Sequence, residues 1–422
     1  MHILRIPRKQ NIGTVAGLFS DLGQYAPRCA IQIPSDLDEY RLCGKGDFLQ
    51  FLFTWATWCP EAPVVTHIPP ETSNSSALIQ LRKLFSEEHG FLLGLLARRF
   101  GLSPQRRFLD TRLNDLSPEV VEDAFLSSRI FELNQPISKG TRTFLAIDNL
   151  MDQDGSVLNP YAKVYIRRNP NYLTMKEAFK TLLETTFARL PKRVAKLARA
   201  SLNLHANFLE QVSQFTYEIF ENADRWGAYP YEKSIRGILA HFHFRESIGE
   251  RPFHVQVGTD NPLSLYLRHF CNEEGYERTA FLELTIFDNG PTLATHYLGK
   301  EPKPLRAEYK ATTDCLLLAS GRSAKSSEGK GLYETMKLLN ASHGFLRYRA
   351  KRLNLYRDFI ANPLNLEELA LLENEELAKR QTGMRKHLFL NDWHSRNTRP
   401  KPQAKAVGTF FTFIVPVEDI LK

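Results

Sequence analysis

Residues 218–227 read EIFENADRWG, and within them Glu218 and Asn222 stand four positions apart. On a helix that spacing is one turn, so the two side chains share a face. An asparagine amide oxygen turned to a cavity can complete the octahedral shell of Mg²⁺, and a carboxylate beside it can polarise a water. Solvated helices carry the same pair often, so it gains weight only from other elements.

Three further stretches supply them. Residues 281–291, FLELTIFDNGP, alternate as a strand and then break at Asp288-Asn289-Gly290-Pro291. A strand that ends in an acid followed by glycine sets one carboxylate at the mouth of a cleft, where it can accept a hydrogen bond from an exocyclic amine. An ordinary strand-ending turn would look the same. An earlier run, FHVQVG at 253–258, is expected to pair with this strand. Residues 321–344, GRSAKSSEGKGLYETMKLLNASHG, form a small-residue basic loop that runs into an amphipathic helix ended by Gly344. Gly329 and Gly331 free backbone amides to approach phosphate oxygens at a helix N-terminus, Arg322, Lys325 and Lys330 offer full charges, and Ser323, Ser326 and Ser327 offer hydroxyls. Residues 407–417, VGTFFTFIVPV, make a terminal strand opened by Gly408-Thr409.

In this order the four elements resemble the N box, G1 box, G2 box and closing Gly-Thr strand of the GHKL superfamily, the Bergerat fold. That superfamily includes sensor histidine kinases, anti-sigma-factor serine kinases, type II topoisomerases, mismatch-repair ATPases and ATP-dependent chaperones. The resemblance covers about residues 200–417. It implies ATP and Mg²⁺ as cofactors, with Asn222 holding the metal and Glu218 as general base for water. Asp288 would read the adenine and Gly290 would let the base approach. Gly329 and Gly331 would line the phosphates, with Ser323, Lys325, Lys330 and Leu332 in the same cofactor-binding stretch, and Thr409 would complete the pocket wall. GRSAKSSEGKGLY looks like the short lid of members that carry a G-x-S-T-K stretch. Two departures stand out: Thr292 replaces the second glycine of the G1 box, which would narrow the adenine mouth, and residues 349–406 form a long insertion before the last strand.

The superfamily hosts several functions, so the fold alone selects none. The first reading is an ATPase whose nucleotide state switches a dimer or a neighbouring domain, with a protein partner or a homodimer expected. The second is a serine/threonine protein kinase of anti-sigma type, which NADRWG also resembles, and the third is a nucleotide-gated binding module without turnover. A histidine-kinase role is disfavoured: His205 lies only 13 residues before Glu218 and has no acidic or Arg-Pro neighbour of the phosphoacceptor kind.

The elements that must position these residues follow an α/β pattern. Residues 1–100 alternate short strand-like runs with amphipathic ones (HILRIP, IGTVAGLFSDL, CAIQIP, GDFLQFLFTWATW, APVVTHIP), in an order with short connections that resembles a small STAS-type regulatory domain. Gly44-Lys45-Gly46 is not a P-loop, because the preceding glycine and the following Ser or Thr are missing. Residues 101–199 read as a linking region, with a strand-like TRTFLAIDNL, a polar turn at Asp152–Gly155 that lacks calcium-loop spacing, and helices from 174 onward. The expected architecture is thus a small α/β unit, a linker, and an ATP-binding unit at 200–422 built as an α/β sandwich on a mixed sheet. The stretch LNLEELALLENEELAKR within the insertion is expected to be an amphipathic helix.

Length and composition fit that plan. A chain of 422 residues with 43% apolar and 24% charged residues supports two or three packed units. Its longest apolar stretches fall short of the roughly 20 residues needed to cross a bilayer, and MHILRIPRKQ lacks the apolar core of a secretory signal, so a cytoplasmic protein without membrane insertion is expected. Five scattered cysteines show no zinc-ligand spacing and read as reduced thiols. The net charge of +8, with basic clusters at 189–199 and 396–405, is small for this length and leaves nucleic acid a minor alternative partner.

Overall fold

The computed structural model describes residues 1–34, 37, 39–40, 42–66, 84, 88–97, 100–102, 107–109, 141–147, 212, 215–220, 222–223, 235–244, 260–273, 280–317, 331–364 and 390–416. His205, the Asp152–Gly155 turn, the 253–258 run, the basic cluster at 189–199 and the amphipathic stretch at 365–380 lie outside the described residues.

The first unit grows from repeated strand-helix steps. Strands β1 (His2–Arg5), β3 (Cys29–Ile33), β5 (Val64–Thr66) and β6 (Phe100–Leu102) lie parallel in that order, and β7 (Arg107–Leu109) closes the edge antiparallel. A short pair, β2 (Lys9–Gln10) with β4 (Glu39–Tyr40), stands apart. Helix α1 (Ile12–Tyr25) starts at a reciprocal cap: Asn11 Oδ1 accepts the Thr14 amide and Thr14 Oγ1 accepts the Asn11 amide, both at 2.9 Å. Its buried positions Ile12, Val15, Leu18, Phe19 and Leu22 recur at helical spacing. The strand pair β6–β7 carries this unit past the boundary expected at residue 100, to residue 109.

Helix α2 (Gly44–Trp58) decides how the molecule is layered. Phe48, Leu49, Phe51, Leu52, Phe53 and Trp55 are all buried, and a helix apolar all round must be covered all round. Trp55 Nε1 donates to the Cys29 carbonyl of the parallel sheet at 2.7 Å. On its other side Phe53 packs 6.0 Å from the rings of both Phe287 and Phe410, which belong to a second sheet. Glycines let α2 pack closely on both sides: a Cβ on Gly44 would lie 2.6 Å from the Gln10 carbonyl oxygen of the N-terminal unit, and one on Gly46 3.0 Å from Thr285 of the second sheet. The N-terminal unit therefore shares one core with the second sheet, through Ile235, Leu239, Phe287 and Phe410.

The second sheet has seven strands in the order β13 (Asn391–Asp392), β12 (Leu353–Asp358), β11 (Phe345–Lys351), β14 (Ala406–Pro416), β10 (Ala280–Asp288), β9 (Ile235–Phe244), β8 (Thr141–Ile147). Each neighbouring pair is antiparallel, so this sheet is not mixed; the parallel pairings are confined to the N-terminal unit. Both edges of β10 are taken, by β9 and β14, which leaves no place beside it for the 253–258 run. The expected insertion also begins too early: residues 345–358 fold as the β11–β12 hairpin inside the sheet, and β8 comes from the stretch expected to be linker.

Helices cover the face of this sheet turned away from α2. Helical residues 212, 215–220 and 222–223, helix α6 (Leu305–Leu317) and helix α7 (Gly331–Ala341) place Phe215, Ile219, Phe220, Leu316, Met336 and Leu339 in one core with Leu282, Leu284, Ile286, Phe411 and Phe413. Helix α3 (Glu88–Leu96) lies beside α2, and α4 (Pro262–Glu273) packs Leu263, Tyr266 and Phe270 near Phe281 and Phe345. The layers run sheet, helices, sheet, helices, an α/β architecture. Among the described residues no helix is long and apolar enough to cross a membrane. Cys29, Cys43 and Cys59 are buried free thiols and Cys315 is a half-buried one.

Candidate functional site

Asp288 is the last residue of β10, and its register partners are Thr409 on β14 and Arg236 on β9. Strand alternation turns Asp288 to the same face as Leu284 and Ile286, toward the helices. The carboxylate is 5% exposed. Its Oδ1 accepts the Gly290 amide at 2.9 Å, and the Thr409 amide donates to it as well. Burial pushes its pKa up to about 7, against the pull of those amides and of the Arg236 guanidinium. Beside it, Thr409 is buried and its hydroxyl has no hydrogen-bond partner among the described residues.

The backbone around this carboxylate allows few substitutions. Gly408 has φ +79°, and a Cβ there would lie 2.0 Å from the Asp288 carbonyl oxygen. Only glycine fits. Asn289 ties the turn to β9 twice, its Oδ1 accepting the Ile235 amide at 2.8 Å and its own amide donating to the Ile235 carbonyl at 3.0 Å. Thr292, where a second glycine was expected, is the N-cap of helix α5 (Leu293–Leu298): its hydroxyl accepts the Thr295 amide at 3.3 Å. The threonine thus turns back onto its own helix.

The structure brings some of the sequence-derived residues together and leaves others undescribed. Glu218 and Asn222 are half-buried on the helical stretch whose neighbours Tyr217, Ile219, Phe220 and Ala223 enter the core on Asp288's side of the sheet. Gly331 and Leu332 open α7, which packs on that same face through Met336 and Leu339. Gly290 is buried in the turn after Asp288. Ser323, Lys325, Gly329 and Lys330 lie outside the described residues.

Sequence reasoning missed Arg236 and Tyr348. Arg236 is fully buried beside Asp288, on a strand whose HFHF ending hides its alternation. Burial holds the Tyr348 hydroxyl well above the ordinary phenol range, and the charges of Glu308 and Asp288 add to it. Asp288, Thr409, Arg236 and Tyr348 make a polar floor under the helices. Such a floor can bind a ligand that donates a hydrogen bond to the carboxylate. No family model matches the chain, nor does any curated protein or solved structure.

Proposed function

We propose that this protein binds ATP with Mg²⁺ on the helix-covered face of the large sheet and hydrolyses it as a conformational switch. The observation that carries the reading is the buried Asp288 carboxylate beside the unpartnered Thr409 hydroxyl, a polar pair suited to an adenine amine and its neighbouring ring nitrogen. On this reading the large sheet with its outer helices is a Bergerat-type sandwich. Glu218 and Asn222, the pair that would polarise water and hold the metal, enter from the same side of the sheet as Asp288. The magnesium ion would neutralise phosphate charge there. The sequential parallel order of β1, β3, β5 and β6 supports a STAS-like reading of the small unit, and its shared core with the large sheet gives nucleotide state a route to α2.

A steady-state assay with labelled ATP, all products separated, tests the reading. Free phosphate is expected from the wild type, with turnover lowered roughly 10²–10⁴-fold in Glu218→Gln while ATP still binds. Phosphate on a Ser or Thr would instead indicate the serine-kinase alternative, and ATP bound without products the nucleotide-gated module. Full turnover in Glu218→Gln would remove the general-base role.

A further inference from the structure

The α2-facing side of β9 and β10 carries a second set of chemistry-bearing side chains that the nucleotide reading does not use. His241 and His243 stand two positions apart on β9 and so share a sheet face. Glu283 on β10 is the register partner of His241. His243 Nε2 lies 2.7 Å from Glu283 Oε2, and the two imidazole rings are 4.0 Å apart between centroids. One ligand atom from each of the three residues lies within 4.8 Å of the others. Glu283 Oε2 also accepts the Cys43 amide at 3.0 Å, whereas Oε1 is buried with no hydrogen-bond partner among the described residues. A buried carboxylate oxygen without a donor is costly unless positive charge meets it.

We propose that His241, His243 and Glu283 bind a divalent transition ion of the Zn²⁺ class between α2 and the large sheet. Two imidazole nitrogens and one carboxylate oxygen suit Zn²⁺ and disfavour Mg²⁺ and Ca²⁺, which prefer oxygen throughout. The ligands sit on two hydrogen-bonded strands, so little ordering remains to be done on binding. For His243 the Nε2 proton must move to Nδ1, after which the ion replaces the hydrogen bond to Glu283. Because the Cys43 amide holds the same carboxylate from the start of α2, the ion would tie the N-terminal unit to the sheet. Lys45, the second residue of α2, acts electrostatically on His241 and opposes a cation there.

The test uses the full chain, stripped of metal and kept free of nucleotide, with Zn²⁺ titrated against a chromophoric chelator. About one tightly held ion per chain is expected, unaffected by excess Mg²⁺ and lost in His241→Asn and His243→Asn. Lys45→Met should tighten binding several-fold. Absence of stoichiometric Zn²⁺, or its retention in both histidine variants, overturns the proposal, and unchanged affinity in Lys45→Met contradicts an ion beside His241. Should the histidine variants fail to fold, Co²⁺ added to the wild type decides: nitrogen-ligated Co²⁺ gives a visible ligand-field band, and a spectrum of hexaaqua Co²⁺ alone sinks the site.

Discussion

On the side of the large sheet turned to α2, Asp47 meets Arg347 at 2.8 Å, and Arg347 Nε reaches Asn354 Oδ1 at 3.0 Å. Gln50 donates to the Arg349 carbonyl at 3.1 Å, and the Val407 amide donates to Thr54 Oγ1 at 2.9 Å. On the side turned to α6 and α7, Asp288 takes backbone amides as its donors and Thr409 ends in an unpartnered hydroxyl. The same strands serve both sides, so the contrast is not one of fold. Polar groups that close on each other hold layers together, while polar groups left open in a dry place are set for something that is not yet there. Asp47 Oδ2, Gln50 Oε1 and Glu283 Oε1 on the α2 side also lack hydrogen-bond partners among the described residues, but each of these side chains is tied to its neighbours through its other polar atom.

The comparison breaks first at Arg347. Arg347→Ala takes from the buried Asp47 carboxylate its hydrogen-bonded partner and leaves it only Arg349 at 3.9 Å, at a cost of about 3–5 kcal/mol measured by denaturant unfolding. A loss below 1 kcal/mol would mean that the α2 face is not held by its polar pairs. Gly408→Ala strikes the other face: the positive φ alone costs about 1–3 kcal/mol, and the clash with the Asp288 carbonyl moves the carboxylate. Both stability and ATP affinity should fall, and an ATP affinity equal to wild type would separate Asp288 from the ligand. The smallest effect is at Thr292, where replacing the cap by alanine should cost about 1 kcal/mol of stability and leave ATP affinity unchanged. Tighter ATP binding in that variant would restore the narrowed mouth that the cap geometry argues against.

Much of this arrangement was legible in the residues. The alternation of FLELTIFD and the abrupt DNG turn marked β10 and placed Asp288 at its end; Gly344 marked the close of α7; Gly408-Thr409 marked the entry to β14. The rest was hidden for physical reasons. Strands β11 and β12 bury Arg347, Arg349, Asn354 and Asp358, so their period-two pattern of apolar and polar residues is lost, and the pairing that makes such charges tolerable, Asp47 with Arg347, spans 300 positions of chain. The region from residue 349 thus looked like an insertion. Strand β9 was obscured by its glycine and histidines, and FHVQVG offered a cleaner alternation in the wrong place. The glycines of Gly44-Lys45-Gly46 are explained only by backbone and side chains that come near them in the fold.

The central claim rests on Asp288, and one titration tests it most directly: Mg-ATP into wild type and Asp288→Asn at pH 8. Because burial raises this carboxyl to about 7 in the fold, above its ordinary 3.8, its contribution favours the folded state at low pH and is lost as pH rises through about 7. The uncharged asparagine escapes that penalty at pH 8 but takes the carboxylate from buried Arg236, so unfolding midpoints of both proteins at that pH separate lost binding from lost stability. Above that pKa the ionised carboxylate accepts the adenine amine with the help of its charge, and wild-type affinity should fall as the pH drops below about 7. The account predicts wild-type binding and a loss of about tenfold or more in Asp288→Asn. Equal affinity in the two proteins, or no binding by the wild type, would contradict it.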